Sequence, residues 1–257
     1  MPVIVLLTDF GAKDYFAGVM KGVISGINSV SRVVDLTHEI EPHNVRQAAF
    51  VLWASRKFFP EGSIFVNVVD PGVGSTRKII CGVLDNQIFL APDNGLLDYV
   101  VAETNGAEFY EVTNQKFFLQ SMSATFHGRD IFAPVAAHIS RGIKLSDLGN
   151  KFKYPEVKSF YKEIGKGKND GEVVYQDHFG NAFTTFLWDD SLLAGKASLK
   201  ISSKIITKFL RSYSEGEGKI PFCVKGSSGL IEIAVNRDNA SKILKSKIGQ
   251  KITLVLS

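Results

Sequence analysis

The sequence predicts an α/β protein with an N-terminal mixed, mostly parallel sheet flanked by helices and a smaller, all-β, barrel-like C-terminal domain. Two patterns predict it. Apolar runs of strand length alternate with amphipathic runs of helix length through the first 160 residues, which is the βαβ signature. Beyond residue 172 the runs are short, β-rich and almost free of helical period. Size is compatible with both, since 257 residues at 45% hydrophobic content supply one large core and a smaller one.

Taken in order, residues 3–7 (Val-Ile-Val-Leu-Leu) read as a buried strand: no basic segment precedes them, and they run directly into Thr8-Asp9, unlike a signal peptide. An amphipathic helix is expected over 15–27, a strand over 33–36, a helix over 45–59 and a strand over 64–69. Strands at 79–84 and 88–91 flank Asp85-Asn86-Gln87, whose turn-forming residues indicate a hairpin. A helix over 96–103, a strand over 109–112 and a helix over 130–141 complete a domain of residues 1–160. Residues 161–171 are polar and glycine-rich, as a linker should be. The second domain, 172–257, carries strands at 172–176, 182–186, 197–201, 220–225, 230–235 and 252–256, with a short helix near 240–245.

Charge and cysteine usage exclude several classes. Thirty basic against 26 acidic residues leave +4, and the lysines are scattered, so no basic stripe for nucleic acid exists. Cys81 and Cys223 lie far apart among apolar neighbours and read as buried reduced thiols. No stretch approaches the roughly 20 apolar residues of a membrane span. A cytoplasmic protein is expected.

Three segments imitate known motifs. Asp9-Phe10-Gly11 and His127-Gly128-Arg129-Asp130 resemble kinase signatures in reversed order, without a Gly-rich loop or paired lysine. The glycine-rich run Pro71-Gly72-Val73-Gly74-Ser75-Thr76-Arg77 lacks a Gly-Lys-Ser/Thr ending and is read as a turn shaping a pocket edge. His38, His43 and His127, with Asp35, Asp70 and Asp130, have no metal-ligand spacing, so no metal is expected.

What remains is a set of polar groups after predicted strands: Asp9, Asp70 and Asp93-Asn94, where ligands of open α/β sheets bind. Each acidic residue can equally serve as a cap or turn former, Asp93 in Pro92-Asp93-Asn94-Gly95 most of all. Asp70 stands out because a carboxylate after a buried apolar strand is costly unless paired, and Arg77 is close enough in sequence to pair with it.

Several longer runs, in register over nearly the whole chain, carry a family resemblance. They are Thr8-Asp9-Phe10-Gly11, Asp35-Leu36-Thr37-His38, Phe58-Phe59-Pro60-Glu61-Gly62, Val69-Asp70-Pro71-Gly72-Val73-Gly74, Ala91-Pro92-Asp93-Asn94-Gly95, Thr125-Phe126-His127-Gly128-Arg129-Asp130, Phe179-Gly180-Asn181 and the segment from Ser227 to Asn236. Together they resemble the S-adenosylmethionine (SAM) hydroxide adenosyltransferases, relatives of the fluorinases and chlorinases. The resemblance implies hydrolysis of SAM to adenosine and methionine with no cofactor, by a homotrimer whose sites lie between the N-terminal domain of one subunit and the C-terminal domain of the next.

It also implies a site. Asp70 would accept from or deprotonate water, with Arg77 and His127 positioning that water. Asp9 would bind the ribose hydroxyls, Asp14 and Asp177 the methionine ammonium, and Asn181 and the backbone near Asn236 the adenine edge. Phe183 would face the methionine, Phe126 and Phe179 would wall a dry pocket, and Ser227 would join the substrate contacts. Any one of these phenylalanines could also be an ordinary core aromatic.

The halogenating relatives have a neutral, hydroxyl-bearing pocket where this chain has Asp70 and His127-Gly128. An ionised Asp70 repels halide, so water is the implied nucleophile and a halide-using synthase the alternative; a non-catalytic adenosine or SAM-binding module is a third reading. Val235 stands where the halogenases have arginine, the loop Asp177-His178-Phe179-Gly180 is one residue shorter than theirs, and His43 replaces a rim aromatic.

Overall fold

The computed structural model describes residues 2–256, which divide into two compact units at Lys158/Ser159. The first unit is built on a seven-stranded sheet: β1 (Val3–Thr8), β2 (Arg32–Thr37), β3 (Ile64–Val68), β4 (Ile79–Leu84), β5 (Gln87–Pro92), β6 (Glu108–Glu111) and β7 (Lys151–Phe152), in the order β2-β1-β3-β5-β4-β6-β7. Pairing is parallel from β2 to β5 and antiparallel from β5 to β7, so β2, β1, β3, β5 and β6 run the same way. The α/β class with a mixed, mostly parallel sheet is therefore the one expected.

Strand alternation decides what packs where. Ile4 and Leu6 of β1 and Ile64 and Val66 of β3 join a core with Met20 and Ile24 of α1 (Phe16–Ile27) and Val135, Ala136 and Ile139 of α4 (Ala133–Ser140). Elsewhere in the unit Phe65 stacks on Phe89, centroids 4.9 Å apart, with α2 (Val45–Arg56) and the four-residue α3 (Asp98–Val101) completing the helices.

Two predicted helices are shorter than expected. The one expected to reach residue 59 stops at Arg56, because Pro60 disfavours helical geometry in the residue before it and Phe58 and Phe59 enter a turn. The one expected over 96–103 has only the core of α3, since residues 92–97 are spent in the turn that Asn94 organises, its Oδ1 accepting from Leu96 N. The predicted hairpin is tighter than expected: Asp85 and Asn86 alone form the turn, both left-handed (φ 46° and 60°), and Gln87 opens β5. The helix expected from Asp130 begins with a π-helical turn, Gly128–Phe132, and only then becomes α4.

The second unit is a seven-stranded antiparallel, barrel-like sheet of β8 (Gly167–Gln176), β9 (Ala182–Leu187), β10 (Ala197–Ile201), β11 (Lys204–Ile206), β12 (Phe222–Lys225), β13 (Leu230–Ala234) and β14 (Lys251–Leu256), in the order β11-β10-β14-β8-β9-β13-β12. α5 (Ala240–Leu244) is its one α-helix among the described residues.

The expected linker is corrected here. Residues 167–171 are the first half of β8 and pair with β14, and Lys162 bridges to β9. β8 serves two neighbours, β14 through Glu172 and β9 from Val173, and a Cβ on Gly171 would sit 2.6 Å from the Phe186 ring. The glycine there reflects a close approach within a folded-over strand, not chain freedom.

Candidate active site

Asp9 and Asp70 follow the C-terminal ends of the adjacent parallel strands β1 and β3, so neighbouring strands deliver both carboxylates to the same edge of the sheet. The turn after β1 is held by His38, whose Nδ1 lies 2.8 Å from Thr8 Oγ1 and whose carbonyl accepts from Gly11 N at 2.7 Å. Asp9 Oδ2 accepts from the backbone N–H of His43 at 2.9 Å. His43 adopts φ 67°, a strained conformation for a non-glycine residue. Asn94 Nδ2 donates to Val69 O at 2.9 Å and ties down the end of β3.

The loop from Asp70 to Arg77 returns the guanidinium onto the carboxylate. Arg77 Nε donates to both Asp70 oxygens at 2.8 Å, and Nη2 also donates to Oδ2. The pair is nearly dry, with Asp70 5% and Arg77 11% exposed at the side chain. Gly74 (φ 79°) shapes the loop: a Cβ there would meet Ala124 O at 2.7 Å, so only glycine lets the loop lie against the 123–125 segment.

That segment leads into the π-helical turn, with His127 at its N-terminus. Arg77 Nη2 lies 3.0 Å from His127 Nδ1. A guanidinium has donors only, so Nδ1 accepts and the imidazole is neutral with its proton on Nε2. Burial, reinforced by the Arg77 charge, holds the His127 pKa below its usual value against the opposing charges of Asp70 and Asp130. Asp130, fully buried, is kept ionised despite burial by Arg129 and by the Ser123 N–H at 2.7 Å.

A cavity of about 280 Å³ opens onto this array, lined by Asp9, Asp70, Thr125, Phe126 and His127 together with Phe10, Phe16 and His43. The three phenylalanines form one cluster with ring centroids 5.0 to 5.8 Å apart, giving the cavity an apolar wall. The sequence reading missed Phe10 and Phe16 as lining residues. Asp14 is not brought here: it is an exposed residue just before α1 and lines neither this cavity nor the one described next.

The second unit has its own, larger cavity of about 950 Å³, lined by Asp177, Phe179, Asn181, Phe183, Ser227, Val235 and Asn236, and also by Tyr213 and Glu232. Asp177 is tied to Asn181, its two oxygens accepting from Asn181 N at 2.8 Å and Nδ2 at 3.0 Å, so the Asn181 amide turns its donor group to Asp177 and keeps its oxygen as an acceptor. Asn236 Nδ2 donates to Gly216 O at 2.8 Å. Phe183 is 8% exposed and Phe179 75% exposed, so these two aromatics are a packed wall and a projecting one. Tyr213 donates its hydroxyl to Glu232 Oε1. No signal in the sequence singled out this last pair, since Glu232 alternates as any strand residue does.

Among the described residues no group of three or more His, Cys, Asp or Glu side chains is placed to hold a metal ion, and no helix is long and apolar enough to cross a membrane. Cys81 and Cys223 are buried free thiols, and burial pushes the Cys81 thiol up to about 12.

The chain matches the model of the SAM hydroxide adenosyltransferase N-terminal domain over residues 4–149 and that of the C-terminal domain over 171–253. A curated relative from Thermus thermophilus, named (R)-S-adenosyl-L-methionine hydrolase, is 34% identical over 97% of this chain and 98% of its own. A fluorinase from Actinopolyspora mzabensis is 27% identical over 100% of this chain and 98% of its own. A crystal structure of an uncharacterized conserved protein from Thermotoga maritima superposes with a TM-score of 0.90 at 38% identity, covering 98% of this chain and 100% of that one. With both domain models matched in order and a relative above 30% identity along almost its entire length, the chain belongs to the SAM hydroxide adenosyltransferase family.

Proposed function

We propose that this chain hydrolyses SAM, as its (R)-sulfonium epimer, to adenosine and methionine, with water as nucleophile and no cofactor. The observation that carries the reading is the Asp70-Arg77-His127 array facing a cavity walled by three phenylalanines. The epimer comes from the name of the Thermus thermophilus relative.

The sulfonium already holds a neutral leaving group, so the protein has only to orient and activate an oxygen nucleophile in line with C5′. His127 Nε2–H donates to that oxygen, since Nδ1 is committed to Arg77 and the ring cannot act as the base. Asp70 takes the proton as the O–C5′ bond forms and the C5′–S bond breaks, and the electron pair leaves on the methionine sulfur. Charge is lost as hydroxide-like oxygen meets sulfonium, so the dry aromatic wall favours the transition state over the separated ions. Asp9, with one oxygen held by His43 N, offers the other to the ribose hydroxyls.

Asn181 and Asn236 serve adenine, and Asp177, Phe183, Phe179 and Ser227 the methionine portion. The acting species in this reading is the homotrimer that the family resemblance implies, one subunit supplying the N-terminal half of a site and the next the C-terminal half.

Halide chemistry is the competing reading, raised by the fluorinase relative. A halide needs donors around it, whereas an ionised Asp70 presents acceptors only. Chromatography of purified protein with separately prepared SAM epimers tests the proposal: adenosine and methionine should form from the (R) epimer, with oxygen from labelled water, even in molar chloride or fluoride. Recovery of 5′-haloadenosine, or of unchanged SAM, overturns it.

A further inference from the structure

Glu232 is 2% exposed and yet lines the C-terminal cavity. Its Oε1 accepts from Tyr213, while Oε2 has no hydrogen-bond partner among the described residues. Gly226 makes room for it: a Cβ at that position would lie 2.9 Å from Oε2. A buried carboxylate normally sits beside a cation. Among the described residues no cation pairs with this one, and the nearby negative charge of Asp177 works against its ionisation. Of the basic residues lining the cavity, Lys225 is exposed, and Arg237 belongs to a surface turn with φ 55°. The remaining carboxylate, Asp238, is already paired with Lys219 at 3.0 Å.

A partly partnered anion without a counter-ion, facing a cavity, is complementary to a cation that donates hydrogen bonds. Resting on the proposed function, the substrate offers two cationic groups, the sulfonium, which has no hydrogen to donate, and the α-ammonium, which has three. We propose that Glu232, held in place by Tyr213 and admitted by Gly226, is the residue that receives the substrate's α-ammonium, so that the free Oε2 supplies the missing ion pair. Asp177, each of whose oxygens accepts one hydrogen bond from Asn181, adds its negative charge to the same cavity.

The test compares SAM with 5′-deoxy-5′-(dimethylsulfonio)adenosine, which keeps the adenosyl sulfonium and lacks the amino-acid portion, on the wild-type protein, Glu232→Gln and Tyr213→Phe. Gln preserves the shape and an acceptor for Tyr213. Loss of a hydrogen bond between charged groups predicts that Glu232→Gln lowers kcat/KM for SAM about 10- to 100-fold and leaves the dimethylsulfonium compound unchanged. Tyr213→Phe should give a smaller loss with the same selectivity. An equal loss on both compounds, which a structural or adenine-reading role would give, overturns the proposal, as does no loss on either. Wild-type protein must also bind SAM at least about tenfold more tightly than its des-amino analogue, a comparison that needs no variant to fold. Calorimetry on the same proteins separates the two readings. Binding without turnover defeats hydrolysis and leaves the ammonium contact measurable, whereas turnover with an unselective Glu232→Gln defeats only the contact.

Discussion

Arg77→Met removes the hub of the array while keeping most of its stem volume. Asp70, 5% exposed, would lose all three of its contacts from the guanidinium and remain as a buried, unpaired carboxylate. Breaking a buried pair in this way costs about 3–5 kcal/mol. In a chain of this size that corresponds to a fall in Tm of about 6–20 °C. His127 would lose both its donor at Nδ1 and a positive neighbour that lowers its pKa, so the imidazole should protonate at higher pH than in the wild type. The acid limb of kcat/KM should therefore move upward in pH, and kcat should fall about 10²- to 10⁴-fold as the nucleophile loses its orientation and base. Thermal unfolding and adenosine release followed from about pH 5 to 8 measure both effects. Arg77→Lys separates them: a single ammonium keeps Asp70 paired but cannot also reach His127, so stability should largely survive while activity falls. An Arg77→Met protein with an unmoved acid limb and wild-type kcat would refute the assignment of these three residues to one reacting unit.

Gly74→Ala should cost about 1–3 kcal/mol and lower kcat, because φ 79° and the 2.7 Å approach to Ala124 O both resist a side chain in the loop that carries Arg77; chemical denaturation paired with kinetics reads it. Burial raises Glu232 from 4.5 to about 6, so the folded state binds its proton more tightly than the unfolded one. The resulting stabilisation is complete below pH 4.5 and lost as pH rises through about 6; it amounts to at most about 2 kcal/mol, less what the solvent in the cavity screens. Glu232→Gln should flatten the difference in unfolding free energy across that window, and an unchanged pH dependence would show that Glu232 is not its source. If the proposed trimer with shared sites is right, co-refolding inactive Asp70→Asn subunits with inactive Asn181→Ala subunits should restore part of the activity, because mixed assemblies would contain some sites with both halves intact; no recovery at any ratio would place both halves of a site on the same subunit.

Much of the fold was legible because it rests on periodicity. The run 3–7, the alternation through residue 91 and the break near residue 160 each reflect burial, and burial is written in residue type. What failed was local. The 161–171 segment looked like a linker because exposed strand residues such as Lys168 and Asp170 and a crowded Gly171 have the same composition as a loop, and only pairing with β14 distinguishes them. The helix after Leu96 was overextended because apolar spacing persists through Val101 although the chain has already turned. In the site, Asp70 and Arg77 could be paired from sequence since only six residues, two of them glycine, separate them. His127, fifty residues further on, could be joined to them only by family resemblance. Thr8 with His38 and Tyr213 with Glu232 were invisible, because contacts between strands and loops distant in sequence leave no local pattern.

The buried pairing of Asp70 with Arg77 also constrains how this family can change its nucleophile. A lineage that exchanged Asp70 for a neutral residue would strand a guanidinium in a nearly dry pocket, and one that lost Arg77 first would strand a carboxylate. Either single step passes through a protein that is less stable and less active, whereas the two changes together remove both charges at once. A change of nucleophile that goes through residue 70 would therefore cross a less stable and less active intermediate, and laboratory evolution toward halide should find its improvements at residues 70 and 77 as linked pairs.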